Sequence, residues 1–349
     1  VKLINADCLD AMREMPEASI DAVVTDPPYG WEFMGHREWD HGVPGVEFWT
    51  EALRVAKPGA HLVAFGGPRT FHRLACAIED AGWEVRDCLS WLYGSGFPKS
   101  LDVSKAIDKA AGAKREVVGL NQHAAKRTGA GKTGVLDTRG PGLGGIESSQ
   151  VTAPATDAAR TWQGWGTALK PAWEPIILAR KPLIGTVSAN VLAHGTGALN
   201  IDGCRVEGPP SVGGSISGSS ALGQGSGWNA HENRTTQIDR SMAAGRWPAN
   251  VALDEEAAEM LGEPSRFFYT AKASRKERGE GNTHPTVKPL ALMRWLCRLV
   301  CPPGGTILDP FAGSGTTLLA AGMEGLGAVG IERDPTYFAI AKKRLGIEE

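Results

Sequence analysis

The stretch Asp309–Asp334, DPFAGSGTTLLAAGMEGLGAVGIERD, decides the fold. The short apolar run Thr306–Asp309 leads into it as a strand, Gly313 and Gly315 make a turn, and Thr316–Met323 leaves as a helix. Glycine lets the backbone turn tightly and approach a ligand closely. The helix N-terminus offers free amides that favour a carboxylate or a phosphate. About twenty residues past the loop, a second strand over Ala328–Glu332 ends in an acid. That is the offset at which dinucleotide folds place a carboxylate for ribose hydroxyls. A glycine loop alone also fits a plain strand-to-helix turn; the acid favours a cofactor. Helices are predicted on either side, over Pro289–Val300 with Pro289 in its first turn, and over Pro335–Leu345.

The N-terminal hundred residues carry the same alternation. Strands are predicted over Lys2–Asp7, Ile20–Asp26, His61–Phe65 and Trp83–Trp91, with helices over Leu9–Met15, Phe48–Ala56 and Thr70–Ala81 between them. Strands alternating with helices argue for a parallel α/β sheet. The middle differs. Residues 105–170 are rich in Gly, Thr, Ala and basic side chains, Trp173–Ala179 returns to strand character, and 208–229 has the composition of a flexible loop.

Composition narrows the class. The 349 residues hold 37 Lys and Arg against 39 Asp and Glu, a net charge of -2, with 42% hydrophobic residues. These values fit a globular protein. No run of eighteen apolar residues occurs, so no membrane span is expected. Val1 to Asp10 has no apolar core of the secretory kind. The six cysteines are scattered and read as reduced thiols in the cytoplasm. Cys297 and Cys301, near His284, lack the paired spacing of a zinc site. A net charge near zero speaks mildly against nucleic acid, but the basic excess of 105–170 suits phosphate contacts as well as it suits a solvated surface.

The second motif is Asp26-Pro27-Pro28-Tyr29, at the end of the buried strand. The prolines fix the backbone and remove two N–H donors. What remains facing outward are acceptors, the Asp26 carboxylate and the Pro27 carbonyl, which suit an amino group donating two hydrogens. Tyr29 adds a flat ring for stacking. Acceptors for an NH₂ beside a stacking ring describe a pocket for an extruded base; a turn with a buried tyrosine is the plainer alternative.

With both motifs at the ends of parallel strands, the sequence resembles the amino-methylating DNA methyltransferases of the β-ordered group. In these an acid-Pro-Pro-aromatic motif precedes the glycine motif, with target recognition between. The resemblance covers roughly 1–104, 171–182 and 280–349, including His284-Pro285-Thr286-Val287-Lys288-Pro289. It implies an α/β fold with a Rossmann-like, twisted, mostly parallel seven-stranded sheet in permuted methyltransferase order. The catalytic half would be 1–104, a basic Gly-rich insertion 105–170, a core strand 171–182, a target-recognition region 183–279 and the cofactor half 280–349. It implies S-adenosylmethionine as cofactor, lined by Phe311, Ala312, Gly313, Ser314, Gly315, Thr316 and Thr317, with Glu332 on the ribose. Asp7 and Cys8 would lie near the cofactor adenine, although Asp7 also fits a helix cap. Asp309 would orient the loop or meet the methionine amino group, and His284 and Lys288 would be positioning groups beside the cofactor.

The implied reaction moves a methyl group to N6 of an adenine flipped out of double-stranded DNA, with Asp26, Pro27, Pro28 and Tyr29 as the catalytic set. No metal and no cysteine nucleophile is required. The resemblance places the enzyme in the cytoplasm of a bacterium or under a phage gene. Homodimerisation is common in the group, and the sequence is silent on a cognate endonuclease. Lys99, Arg234, Arg240, Arg246, Lys272 and Arg275 are candidates for DNA contact. N4 of cytosine is the nearest rival target, with RNA or a protein amide more distant. A nicotinamide-dependent oxidoreductase would want a third loop glycine where Leu318 stands, and a non-catalytic DNA-binding module would need no cofactor loop.

Overall fold

In the computed structural model, β2 (Ile20–Thr25) is buried along its whole length. The structure describes residues 1–30, 42–96, 98, 100–120, 150–208, 245–271 and 287–347. Ala22 and Val24 pack with Val63, Phe65, Ile176 and Leu178 on one face of the sheet, and Val23 packs with Leu62, Ala64, Ile177 and Ala179 on the other. A strand covered on both faces needs no polar side, which is why IDAVVT reads as an unbroken apolar run. Helices Val46–Val55 and Phe71–Asp80 cover one face through Trp49, Leu74 and Ile78. Helices Leu290–Val300 and Thr316–Met323 cover the other. Each fully buried Val, Leu or Ile contributes roughly 1.5–3 kcal/mol.

The chain divides into two compact units, Val1–Ser95 with Ala172–Glu349, and Gly96–Pro171. The larger unit holds β1 (Lys2–Ile4), β2, β3 (Ala56–Phe65), β4 (Glu84–Leu92), β7 (Trp173–Arg180), β8 (Val251–Asp254), β9 (Tyr269–Ala271), β10 (Thr306–Asp309) and β11 (Gly327–Ile331). The smaller holds β5 (Val117–Leu120) and β6 (Gln150–Thr152), which pair antiparallel. The large sheet runs β1-β11-β10-β2-β3-β7-β4-β8-β9. All its neighbours are parallel except β7, which is antiparallel to both β3 and β4.

The sheet is therefore α/β and mostly parallel, but it has nine strands where seven were predicted. The additional β8 and β9 come from 183–279, the stretch expected to serve target recognition. Ala252, Leu253 and Ala271 are buried there, and β8 pairs with β4, an edge that would otherwise present unpaired amides. Strands of four and three residues are too short for alternation to mark them. At the N-terminus β1 stops at Ile4, and Pro289 is the cap of the helix Leu290–Val300 rather than part of its first turn.

The order of the strands locates a crevice. From β10 the chain crosses through Thr316–Met323 to β11 on one side; from β2 it crosses through Val46–Val55 to β3 on the other. The direction of winding thus reverses between β10 and β2, and such a switch point leaves an open crevice at the carboxyl ends of the strands. Both sequence motifs leave from that point.

Within the smaller unit, Asp108 is fully buried and accepts hydrogen bonds from the Ala155 and Thr156 amides at 2.9 and 3.0 Å and from Arg115 at 2.7 Å. Burial raises its carboxyl, but these bonds outweigh it and hold the group below the usual carboxylate range. Arg115, one of the basic residues suited by sequence to phosphate, is thus an internal tie. Among the described residues no helix is long and apolar enough to cross a membrane.

Candidate active site

The glycine loop follows β10 directly. Gly313 has φ 52° and Gly315 φ 80°, left-handed values that favour glycine. A Cβ on Gly315 would stand 3.1 Å from that of Ala341. The absent third loop glycine is replaced from the other strand: a Cβ on Gly330 of β11 would meet the Leu318 side chain at 2.6 Å, so Gly330 provides the close helix-to-sheet approach. Ser314, Thr316 and Thr317 are buried. Arg344 donates to the Ser314 carbonyl at 2.6 Å, to Ser314 Oγ at 2.9 Å and to Thr316 Oγ1 at 3.0 Å. Ala312 donates its amide to the Ile331 carbonyl, and Phe311 packs against Phe48 and Trp49 with ring centroids 6.1 and 6.3 Å away.

Two carboxylates brace this loop. Glu332, just past β11, accepts the Gly313 amide at 2.8 Å and the Asp334 amide at 2.7 Å; burial raises its carboxyl. Asp309 accepts Thr25 Oγ1 at 2.7 Å and the Phe311 amide at 3.1 Å. Burial pushes Asp309 up to about 6, against the lowering effect of its bonds from Thr317, Thr25 and Phe311. The Thr25–Asp309 bond ties the ends of β2 and β10 together across the switch point. Asp7 caps the helix Cys8–Arg13 through a 2.9 Å bond from the Leu9 amide. Cys8 is buried, and burial followed by the Asp7 charge pushes its thiol up to about 12.

Asp26 begins the other side of the crevice. Its Oδ1 accepts the Tyr29 hydroxyl at 2.8 Å, and its Oδ2 lies 2.9 Å from Lys288 Nζ. Lys288 also donates to the Tyr29 hydroxyl at 2.9 Å and pairs with Glu174 Oε2 at 3.2 Å. All three ammonium hydrogens therefore have partners. Burial lowers Lys288, but the Asp26 and Glu174 charges prevail and hold it above the usual lysine range. Burial and the same two carboxylates hold the Tyr29 hydroxyl well above its ordinary value, so it remains a donor. Lys288 Nζ also sits 5.2 Å from the Tyr29 ring centroid and 4.9 Å from that of Phe65. Tyr93, half-buried nearby, is pushed up to about 12 by burial and by Glu174.

Lys288, grouped by the sequence with the cofactor residues, is seated against Asp26. Glu174 was missed. It stands near the start of β7, opposite Trp91 of β4, and reaches the crevice because β7 runs antiparallel to β3 and β4 and so starts where they end. An acid among the apolar residues of WEPIILA was the available signal. Arg246, a candidate for DNA contact, donates to the Glu207 and Arg266 carbonyls at 2.6 and 2.9 Å. Lys99, Arg234, Arg240, Lys272, Arg275 and His284 lie outside the described residues.

The donors and acceptors present suit S-adenosylmethionine: a helix N-terminus behind a glycine loop, a carboxylate past the next strand, and a half-buried aromatic ring on Phe311. With the Asp26 carboxylate at the end of β2 across the switch point, fold and site fit a methyltransferase of the Rossmann-like class. Residues 146–343 match the DNA methylase family of N6 and N4 methyltransferases, and the chain belongs to that family; it is a DNA methyltransferase that uses S-adenosylmethionine. It is 25% identical to the Type II methyltransferase M.HindIII of Haemophilus influenzae, over 99% of this chain and 96% of that protein. Over 83 residues it is 44% identical to the Type II methyltransferase M.ScaI of Streptomyces caespitosus, covering 24% of this chain and 27% of that one. The crystal structure of the M1.HpyAVI–SAM complex aligns with a TM-score of 0.47 at 16% identity, covering 99% of each chain.

Proposed function

We propose that the chain methylates N6 of an adenine turned out of duplex DNA into the crevice between β10 and β2. The observation that carries this reading is the Asp26 carboxylate, at the mouth of the crevice and linked through Thr25 and Asp309 to the strand that enters the glycine loop. The adenine amine is a poor nucleophile because its lone pair is delocalised into the ring. Asp26 and the Pro27 carbonyl accept its two hydrogens, draw the lone pair out of the ring and stabilise the positive charge that develops on nitrogen. Tyr29 stacks on the base, and Pro28 keeps the turn rigid.

S-adenosylmethionine, when bound, supplies an electrophilic methyl group on a sulfonium. On the protein side, Phe311 through Thr317 cradle it, Glu332 accepts from its ribose, Asp309 meets its ammonium or braces the loop, and Asp7 and Cys8 border its adenine. Holding the two reactants in line provides much of the acceleration.

The reading takes double-stranded DNA as the substrate form and the cytoplasm as the compartment. The relatives' designation as Type II methyltransferases supports a role in restriction and modification beside a cognate endonuclease. Homodimerisation is proposed from the group alone. Sequence readout is assigned to 183–279 and 105–170, with the proviso that Arg246 already serves main-chain carbonyls.

The test incubates the protein with labelled S-adenosylmethionine and unmethylated duplex DNA and identifies the labelled nucleoside by mass spectrometry. N6-methyladenine is expected. N4-methylcytosine would retain the mechanism and replace the target, and absence of label from DNA would overturn the reading.

A further inference from the structure

Both oxygens of Asp26 are engaged within the protein: Oδ1 by Tyr29 and Oδ2 by Lys288. An amine that is to donate to this carboxylate must displace one of them or share its oxygen with it, and an oxygen shared with a full ammonium is the weaker acceptor. Tyr29 follows on the same short turn, and its main-chain carbonyl is tied by Thr70 at 2.7 Å. Lys288, on a long side chain, is the donor that can withdraw. It holds Asp26 Oδ2 at 2.9 Å. A displaced, buried ammonium needs an anion to receive it, and close to a nitrogen that is acquiring positive charge it would otherwise oppose the reaction. Glu174 Oε2 lies 3.2 Å from Lys288 Nζ and 3.4 Å from the Tyr29 hydroxyl, a second carboxylate within the same cluster.

We propose that Glu174 is a positioning residue for methyl transfer: it retains the Lys288 ammonium when the target amine takes Asp26 Oδ2, so that Lys288 occupies the acceptor in the resting enzyme and releases it to the base. This rests on the assignment of Asp26 as acceptor for the target amine. Without Glu174, Lys288 is left with Asp26 as its one carboxylate partner in this cluster, and the amine must compete with a full cation for the same oxygen. The defect created by losing Glu174 should therefore depend on Lys288 being present. A purely structural role for Glu174 predicts no such dependence.

The test compares wild type, Glu174→Gln, Lys288→Met and the double variant Lys288→Met/Glu174→Gln. Single-turnover transfer is followed as total label entering unmethylated DNA, cofactor affinity by calorimetry, and folding by thermal melting. Glu174→Gln is expected to slow transfer about thirtyfold while cofactor Kd stays within about twofold, and the double variant to recover at least about tenfold of that loss. Transfer by Glu174→Gln within about twofold of wild type, or a double variant no faster than Glu174→Gln, would overturn the proposal. Should Glu174→Gln fail to fold, Glu174→Ala, which also removes the carboxylate, takes its place under the same criteria. The nucleoside labelled by wild type reports separately on the identity of the base, so an error there is distinguishable from an error about Glu174.

Discussion

The two sides of the crevice are held by different means. On the glycine-loop side the main chain does most of the holding: the Gly313 and Asp334 amides bind Glu332, the Phe311 amide binds Asp309, and the Ala312 amide binds the Ile331 carbonyl. On the amine side the ties are between side chains, Lys288 with Asp26, Glu174 and Tyr29. Main-chain ties persist as long as the sheet does, so the loss of one leaves the others in place. A buried ion cluster behaves otherwise, because removing one member leaves an uncompensated charge. The loop side should lose cofactor affinity by degrees, and the amine side should lose the reaction abruptly.

The largest effect tests that contrast directly. Asp26→Ala is expected to slow single-turnover methyl transfer by about 10²–10³-fold, the range for one well-placed electrostatic group. Cofactor Kd by calorimetry should stay within about twofold, and circular dichroism should report a folded protein. If affinity fell together with rate, the two sides would not be independent.

Next in size is a pH effect on stability that falls on the buried Asp309. Asp26 faces an ammonium, whereas Asp309 is bound by hydroxyls and an amide and is pushed up from 3.8 to about 6. The unfolded chain releases this proton near pH 4 and the folded chain near pH 6. Between these values the folded state holds more protons, so the contribution of Asp309 to stability falls as pH rises and levels off above about 6. About two units correspond to on the order of 3 kcal/mol. His61 opposes it in the same window. Burial, with Arg180 and Arg86 nearby, lowers His61 to about 4, so the unfolded chain takes up that proton first and stability rises with pH from about 4 to 6.5. Asp309→Asn removes only the falling part, and its melting temperature relative to wild type should climb between pH 4 and 6. A constant difference would mean that Asp309 titrates normally.

Glu332→Ala should come third. It removes an acceptor from two main-chain amides and, on the function proposed above, from the cofactor ribose. Hydrogen bonds to a charged group are worth about 1.5–3 kcal/mol, so cofactor Kd should rise about 10–100-fold, with turnover at saturating cofactor nearly unchanged. A loss in turnover at saturation would place Glu332 on the amine side of the comparison.

The same contrast explains what could be read from the sequence. Thr306–Asp309, Thr316–Met323 and Pro335–Leu345 have the bounds expected of them, because strand, loop and helix are contiguous and each carries its own local pattern. Asp26 was visible because two prolines follow it. Glu174 was not, since its reach into the crevice depends on the direction of β7, and WEPIILAR reads as a strand whichever way it runs. The pairing of Lys288 with Asp26 spans the length of the chain and has no local signature. β8 and β9 are too short to show a period. Arg246 looked available for DNA because carbonyl partners such as those of Glu207 and Arg266 leave no mark in a sequence.

The smallest effect is the sharpest test of the loop side. Arg344 places one terminal nitrogen on the Ser314 carbonyl and on the hydroxyls of Ser314 and Thr316, a cationic side-chain tie added to the carboxylate braces of Glu332 and Asp309. If loop geometry were set by this guanidinium, Arg344→Ala would resemble Glu332→Ala in its effect on cofactor binding. If instead the geometry is set by the left-handed glycines, by Glu332 and by the packing of Gly330 under Leu318, the variant should change little. The expected result is a cofactor Kd within about threefold of wild type, which corresponds to less than about 1 kcal/mol, with an unaltered transfer rate once cofactor is saturating. A rise of tenfold or more would show that one side-chain tie is as decisive on the loop side as on the other, and the contrast between them would fail.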